Sequence, residues 1–366
     1  MIVFIRSNPI APDPRVEKEV QSLTTNGFKV TILAWDREKA FNKLESCGNK
    51  TIWRLRFRAP YRNLVIAAYY PIFWLWVLSK LLKIRPIVIH ACDVDSIFPA
   101  LLYRLLKHEA KVVFDMFDVY ALLLRSKSKV LSNFVFCLEL FAASKSNAFI
   151  TVSTKRLALF ESAKPKLVEV VMNCPSFMPR SRLLSQSMDK TKFRMVYAGA
   201  ISPGRGLLQL CEASKDIDDL ELVVAGRVMD RKTLDKINQF SHTKYVGQLK
   251  YDAALKLQAS ADLIPALYDP TVALYRVASP NKIFEAMMLG IPVITNLVDI
   301  IEETKCGVKV NYHDVKGITQ TILYIKEHPK VRLKLGLNGK RAFELKFNWS
   351  QMENKLLKLY YTLMSP

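Results

Sequence analysis

The segment SPNKIFEAMMLGIPVIT (279–295) carries the most specific chemistry in the chain. Ser279 suits an N-cap and Pro280 a first helical position, so the pattern predicts a helix over 280–289, ended by Gly290. Lys282 and its neighbour Asn281 then stand in the first turn. A cation there opposes the helix dipole unless an anion sits beside it, and that misfit points to an anionic ligand. Glu285 follows one turn later on the same face. Its carboxylate can accept two hydroxyl hydrogen bonds from a sugar ring. Phe284, Met287 and Met288 read as core. A second segment, YAGAISPGRGL (197–207), follows a strand pattern and opens a helix. Gly199, Gly204 and Gly206 let the backbone turn tightly and approach a ligand closely. Arg205 sits at the mouth, where a helix N-terminus favours anions. The segment is neither G-x-G-x-x-G nor a P-loop. The plain alternatives are an ordinary strand–helix turn and a surface ion pair between Lys282 and Glu285.

The elements that must position these residues alternate between strand and helix. Strands are expected at Ile2–Arg6, Lys29–Trp35, Thr51–Phe57, Pro86–Ala91, Lys111–Asp115, Ala148–Val152 and Val168–Met172, with helices near 14–26, 71–83, 95–108, 128–146 and 154–162. A polar, basic stretch at 176–192 reads as a linker. A second series follows: Phe193–Ala198, helix 204–214, Leu220–Ala225, helix 229–240, a strand near Lys244–Gly247, helix 251–260, Asp262–Ala266, helix 280–289 and Ile291–Thr295. Helices fill most of 313–364. Such alternation implies an α/β fold of two doubly wound, Rossmann-like domains with parallel sheets, facing across a ligand-binding cleft. The expected boundaries are 1–178 and 190–347, with 348–366 as a C-terminal helix packing back on the first domain.

Composition bounds the function. The 366 residues are 50% hydrophobic and 24% charged, a globular balance. Six cysteines form no C-x-x-C pair and no zinc-like spacing, so reduced thiols are expected. The net charge is +21, and residues 51–200 alone hold 23 basic and 9 acidic side chains. No acidic residue occurs between Glu45 and Asp93. A one-sided field of this kind attracts polyanions: nucleic acid, an anionic bilayer or phosphorylated substrates. The chain opens directly with MIVFIR, read as a strand with no leader pattern, so a cytoplasmic protein is expected.

Leu64 to Ser79 is free of charge. A helix from Pro71 to Lys83 would be roughly 20 Å long, short of the roughly 30 Å hydrocarbon core. One reading is a buried helix covering the sheet. The other is peripheral contact with the cytoplasmic membrane face through Arg62, Phe73, Trp74, Trp76, Lys80 and Lys83, joined by Arg125, Lys127 and Lys129, since aromatic and basic side chains suit the headgroup region.

The N-terminal SNPIAPDPRVEKEV, the strand ends IHACDVDS and VVFDMFDVY, the stretch VVMNCP, and above all YAGAISPGRG and SPNKIFEAMMLGIPVI together resemble glycosyltransferase family 4 over nearly the whole length. The resemblance implies the GT-B fold, a first domain that binds the acceptor and faces the membrane, and a second that binds a nucleotide-sugar. It implies retaining transfer from a UDP- or GDP-sugar to a lipid-linked or polysaccharide acceptor, as in polysaccharide biosynthesis. Arg205 would bind the donor diphosphate, Glu285 the ribose, and Ser279–Lys282 the phosphates. Three departures stand out. Ala200 replaces an Arg that members carry after the glycine matching Gly199. Val277 replaces the first glutamate of an E-x7-E pair. Phe117 stands where many members have a cleft His, and Asp118 is the replacement candidate.

In mechanism, Arg205 and Lys282 would stabilise charge growing on the leaving phosphate, with no metal or other cofactor. Asp118 would act near the acceptor, with Asp93 and Asp115 as further acceptor-side candidates. His90, on a buried strand, reads as a core residue. Asp93-Val94-Asp95 is a D-x-D, which in GT-A enzymes holds a divalent cation. The remaining rivals are a basic nucleic-acid-binding protein, although no nucleic-acid motif is present, and a sugar-nucleotide epimerase of the same fold.

Overall fold

The computed structural model describes residues 1–61, 64–184 and 191–365. The chain divides into two compact units, Met1–Asn173 with Met352–Pro366, and Cys174–Gln351.

Unit 1 is built on eight strands: β1 (Ile2–Arg6), β2 (Val30–Asp36), β3 (Leu44–Cys47), β4 (Lys50–Arg56), β5 (Val88–Cys92), β6 (Lys111–Met116), β7 (Ala148–Thr151) and β8 (Leu167–Val170). Their order is β3-β4-β2-β1-β5-β6-β7-β8. Every pair is parallel except β3–β4. Parallel strands covered on both faces must be apolar throughout, and β2 and β5 are buried at every residue. Strand β3 is absent from the sequence reading. It is an exposed edge strand with too little apolar pattern to register.

The helix Tyr70–Ile84 lies on the sheet through Phe73, Val77 and Leu81, all fully buried. Phe73 stacks on Trp35 with ring centroids 5.1 Å apart. Burial of a Phe contributes about 1.5–3 kcal/mol, so Phe73 is a core residue and the expected lipid contact there is corrected. The run Val65–Ile84 is long and apolar enough to cross a membrane by length and composition, yet its inner face is part of this core. Helix Val94–Leu106 packs beside it and also against helix Lys129–Lys145.

Unit 2 holds two three-stranded parallel arrays: β9 (Phe193–Ala198), β10 (Leu220–Ala225) and β11 (Thr243–Tyr245), then β12 (Ile264–Ala266), β13 (Val293–Thr295) and β14 (Gly307–Lys309). A parallel bridge, Met195–Leu263, joins them into the order β11-β10-β9-β12-β13-β14. The order reverses between β9 and β12. In open sheets of this kind, ligands bind beyond the carboxyl ends of the strands at that reversal.

The boundary at Asn173/Cys174 lies earlier than the expected 178. The start of the expected linker is already part of unit 2. Cys174 is fully buried, and the Arg180 guanidinium donates to the carbonyls of Ala259 and Ala261 at 2.9 and 3.0 Å. Positions 185–190 of that linker lie outside the described residues. All six cysteines are free thiols.

The last helix, Trp349–Met364, runs from unit 2 into unit 1, and the Tyr360 hydroxyl lies 2.7 Å from His90 Nδ1. His90 is fully buried on β5, stacked on Phe4 and hydrogen-bonded to Asp115 at 3.2 Å. Arg15 grips Asp115 with Nη2 2.9 Å from both carboxylate oxygens, and its Nε lies 3.1 Å from Glu19. Burial opposes an anion at Asp115, but Arg15 wins and holds its pKa at about 2. Burial raises Glu19 well above its ordinary value and lowers His90. One charge pair, Arg15–Asp115, therefore survives in this low-dielectric core.

Candidate functional site

The carboxyl ends of β9 and β12 bring the predicted residues of unit 2 together. The chain leaves β9 at Gly199, whose N–H donates to the Ala225 carbonyl at 2.9 Å. It then turns through Gly204 to Gly206. Gly206 has φ +69, and a Cβ there would lie 2.3 Å from the Leu267 Cβ. Only glycine permits that conformation and that approach together. The following helix is Leu207–Ser214, three residues shorter at its start than expected, because Gly204 and Gly206 are both left-handed.

Arg205 extends from this turn into an aromatic frame, 5.3 and 4.9 Å from the ring centroids of Tyr268 and Tyr275. Among the described residues, its buried Nε and the buried Tyr268 hydroxyl have no hydrogen-bond partner. Buried polar groups in this state are uncommon and mark places where a ligand completes the network.

The helix Asn281–Leu289 starts one residue later than expected. Pro280 takes the N-cap position with ψ 121°, and no side chain caps the first turn. The expected Ser279 cap is therefore corrected: the extended Pro280 lies outside the helix, and the first backbone N–H groups are left open. Lys282 is 7% exposed, with Nζ 3.5 Å from the Tyr197 ring centroid and 3.3 Å from where a Cβ on Gly199 would stand. It forms no ion pair among the described residues. The surface Lys282–Glu285 pair is thereby set aside. Burial, with Arg205 nearby, pushes the Lys282 pKa well below the ordinary lysine value, and Glu285 only partly restores it. Glu285 is also buried and accepts from Gln258 Nε2 at 2.8 Å. Burial pushes the Tyr268 hydroxyl up to about 12, Arg205 pulls it down and Glu285 adds to the rise. Arg205, Lys282 and Glu285 thus share one electrostatic neighbourhood. It contains two cations, a carboxylate, open helix N–H groups and unpartnered donors, which is the donor set a diphosphate with a hydroxylated ring requires.

Ala200 and Val277 offer no charge here. Tyr268 and Tyr275, which frame Arg205, carried no signal in the sequence, because an aromatic beside a turn reads as core.

Unit 1 corrects two acceptor-side candidates. Asp115 is fully buried in the Arg15–His90 network. Asp93, 2% exposed and at φ +66, spends one carboxylate oxygen on the N–H groups of Phe117 and Asp118, at 2.8 and 3.2 Å, and the other on Arg6. Burial lifts its pKa to about 7 against the pull of Arg6. Asp95 accepts from the hydroxyls of Ser7, Tyr70 and Tyr120. The D-x-D pair is therefore committed to internal bonds. Asp118 is half-exposed and pairs with Arg156 at 3.2 Å. The Phe117 ring lies between Arg6 and Arg15, 4.5 and 4.7 Å from its centroid. A protonated imidazole there would be repelled by both.

Of the expected membrane residues, Trp74 is half-buried and donates to the Asp95 carbonyl at 2.7 Å, and Lys80 Nζ lies 3.9 Å from the Trp53 ring centroid. Trp76 is half-buried, while Lys83, Arg125, Lys127 and Lys129 are exposed. Arg62 lies outside the described residues. Leu75, Leu105 and Val130 stand exposed on the outer helices.

Residues 192–328, which contain Arg205, Lys282 and Glu285, match the family described as Glycosyl transferases group 1. Comparison with curated protein sequences finds no match. Among solved structures, a sucrose-phosphate synthase from Thermosynechococcus elongatus is similar at a TM-score of 0.82 and 17% identity, covering 99% of this chain and 98% of the other. HepE of Anabaena, solved in complex with UDP, is similar at 0.74 and 12% identity, covering 99% of each chain. A glycosyltransferase from Rickettsia africae is similar at 0.71 and 12% identity, covering 100% of this chain and 98% of the other. Residues 192–328 thus match the glycosyl transferases group 1 family, and over its whole length the chain has the GT-B fold.

Proposed function

We propose that the chain transfers a glycosyl group, with retention of anomeric configuration, from a nucleotide-sugar held by unit 2 to a lipid-linked or glycan acceptor taken up by unit 1, at the cytoplasmic face of a membrane. The observation that carries this reading is Lys282, a buried amine that forms no ion pair among the described residues, grouped with Arg205 and Glu285 inside the family-matched segment. UDP in the complex of the similar Anabaena protein supports a uridine nucleotide as donor. In the reaction, the bond between the anomeric carbon and the phosphate oxygen breaks, charge grows on the departing diphosphate, the acceptor oxygen bonds to the anomeric carbon from the same face, and the acceptor proton passes to the leaving phosphate. Arg205, Lys282 and the open N–H groups of helix Asn281–Leu289 stabilise that charge. Glu285 anchors the ribose hydroxyls. Asp118, the half-exposed carboxylate of unit 1, orients the acceptor hydroxyl. Arg205 and Lys282 supply the cationic charge that a metal would otherwise bring, so turnover is expected to persist in EDTA. The exposed apolar and basic side chains around helix Tyr70–Ile84 support membrane contact.

The test is turnover and UDP binding in Arg205→Ala and Glu285→Ala. Each substitution is expected to cut kcat/KM about a hundredfold, because one removes charge stabilisation and the other donor anchoring. Rates near those of the wild-type protein in both variants would refute the assignment. NMR of the product's anomeric proton decides retention. A product formed without acceptor would restore the epimerase.

A further inference from the structure

The loops after β2 and β4 enclose a second basic feature, on unit 1. An open pocket of about 500 Å³ is lined by Arg37, Glu38, Arg58, Ala59, Pro60 and Tyr69. Arg37 follows β2 directly, and Arg58 stands two residues past β4. These strands are parallel neighbours, so both arginines lie at the carboxyl edge, where sheets of this type take ligands.

Arg37 is 9% exposed, unusual for a charged side chain without a carboxylate. Its guanidinium lies between two aromatic rings, 4.6 Å from the Trp35 centroid and 5.0 Å from that of Tyr61. The rings hold the guanidinium in place, with the Tyr70 hydroxyl also in reach, and its N–H groups remain the bonding edge. One amino group donates to the Ser7 carbonyl at 2.9 Å. Among the described residues the buried Nε has no hydrogen-bond partner and Arg37 forms no ion pair. A desolvated guanidinium held rigid with donors to spare is costly unless an anion completes it. Arg58 is exposed and adds a second cation on the rim, while Glu38, the one acidic lining residue, is exposed and can swing into solvent.

We propose that Arg37 and Arg58 form a phosphate-binding pocket, separate from the diphosphate site of unit 2. Arg37 supplies a fixed planar fork, and Arg58 closes over the anion. The ligand is a phosphate ester, carried by a soluble metabolite or by a lipid headgroup. A planar, stacked Arg selects tetrahedral oxyanions through paired hydrogen bonds, which a mobile lysine does not.

The experiment is calorimetric titration of the full chain with inorganic phosphate and with glycerol phosphate, in the wild-type protein and in Arg205→Ala, so that heat from unit 2 is recognised. Saturable binding that survives Arg205→Ala and weakens about tenfold or more in Arg37→Gln and in Arg58→Gln is expected. Arg58 is exposed, so Arg58→Gln stays informative if Arg37→Gln fails to fold. A second arm pellets the protein with phosphatidylcholine vesicles, with and without phosphatidylglycerol. Binding that needs the anionic lipid, is displaced by glycerol phosphate and is lost in Arg58→Gln identifies a headgroup as the source. Vesicle binding indifferent to both, beside saturable glycerol phosphate binding, identifies a soluble ester. The proposal is overturned if neither arm shows binding that depends on Arg58, or if phosphate binding disappears in Arg205→Ala.

Discussion

Replacing Lys282 by Met separates stability from function at the proposed donor site. Met keeps the length and the apolar stem but removes the charge. Two terms oppose each other. Replacing buried ionic groups by apolar side chains of similar volume stabilises by about 1–4 kcal/mol. The amine's position 3.5 Å from the Tyr197 ring centroid is a cation–π contact worth about 0.5–2 kcal/mol, which is lost. Lys282 is 7% exposed and unpaired, with Arg205 adding repulsion, so the first term is the larger. The net gain is about 1–2 kcal/mol at neutral pH, or about 2–8 °C in Tm for a unit of this size. The pH dependence has a definite sign. The folded pKa lies below the unfolded value of 10.5. The wild-type penalty is therefore complete below the folded pKa and shrinks as pH rises toward the unfolded one. The advantage of Lys282→Met is widest in mild acid and closes in strong alkali. Melting curves across that range are the first assay. UDP titration is the second, and there Lys282→Met loses affinity by about ten- to a hundredfold, one charge-assisted hydrogen bond. A variant no more stable than the wild-type protein at any pH, with UDP affinity intact, would refute the reading of Lys282 as an unmatched buried cation.

Gly206→Ala destabilises by about 2–4 kcal/mol, since a Cβ must share space with Leu267 at a left-handed backbone; chemical denaturation measures it. Arg15→Met strands the Asp115 anion in the core and costs about 3–5 kcal/mol, whereas the double change Arg15→Met with Asp115→Leu recovers most of that loss. Equal losses in single and double variants would show that the pair is not what holds the network. Tyr360→Phe removes the hydroxyl partner of His90 and costs about 1–2 kcal/mol, read as earlier proteolysis of the last helix.

The strand–helix alternation was legible because parallel strands buried on both faces, such as β2 and β5, must be continuous apolar runs. The edge strand β3 escaped because three of its four residues are exposed. Lys282 and Glu285 were legible from local rules alone: a cation in a helix's first turn is an anomaly that a sequence displays. Helix starts shifted by one to three residues because the backbone angles of Gly204, Gly206 and Pro280, not residue preferences, decide where a helix begins.

What the residue string determined by itself was the chemistry of short range: the two domains in series, the glycine turn, and the Lys282–Glu285 spacing on one helical turn. Tertiary structure decided everything that depends on what lies opposite. Asp93 and Asp115 are spent on Arg6, Arg15 and backbone N–H groups, Phe73 belongs to the core, and Arg37 is a rigid, unmatched cation because Trp35 and Tyr61 close on it from separate parts of the chain. Burial and pairing arise between residues distant in sequence, and a carboxylate or guanidinium carries no local mark of its partner.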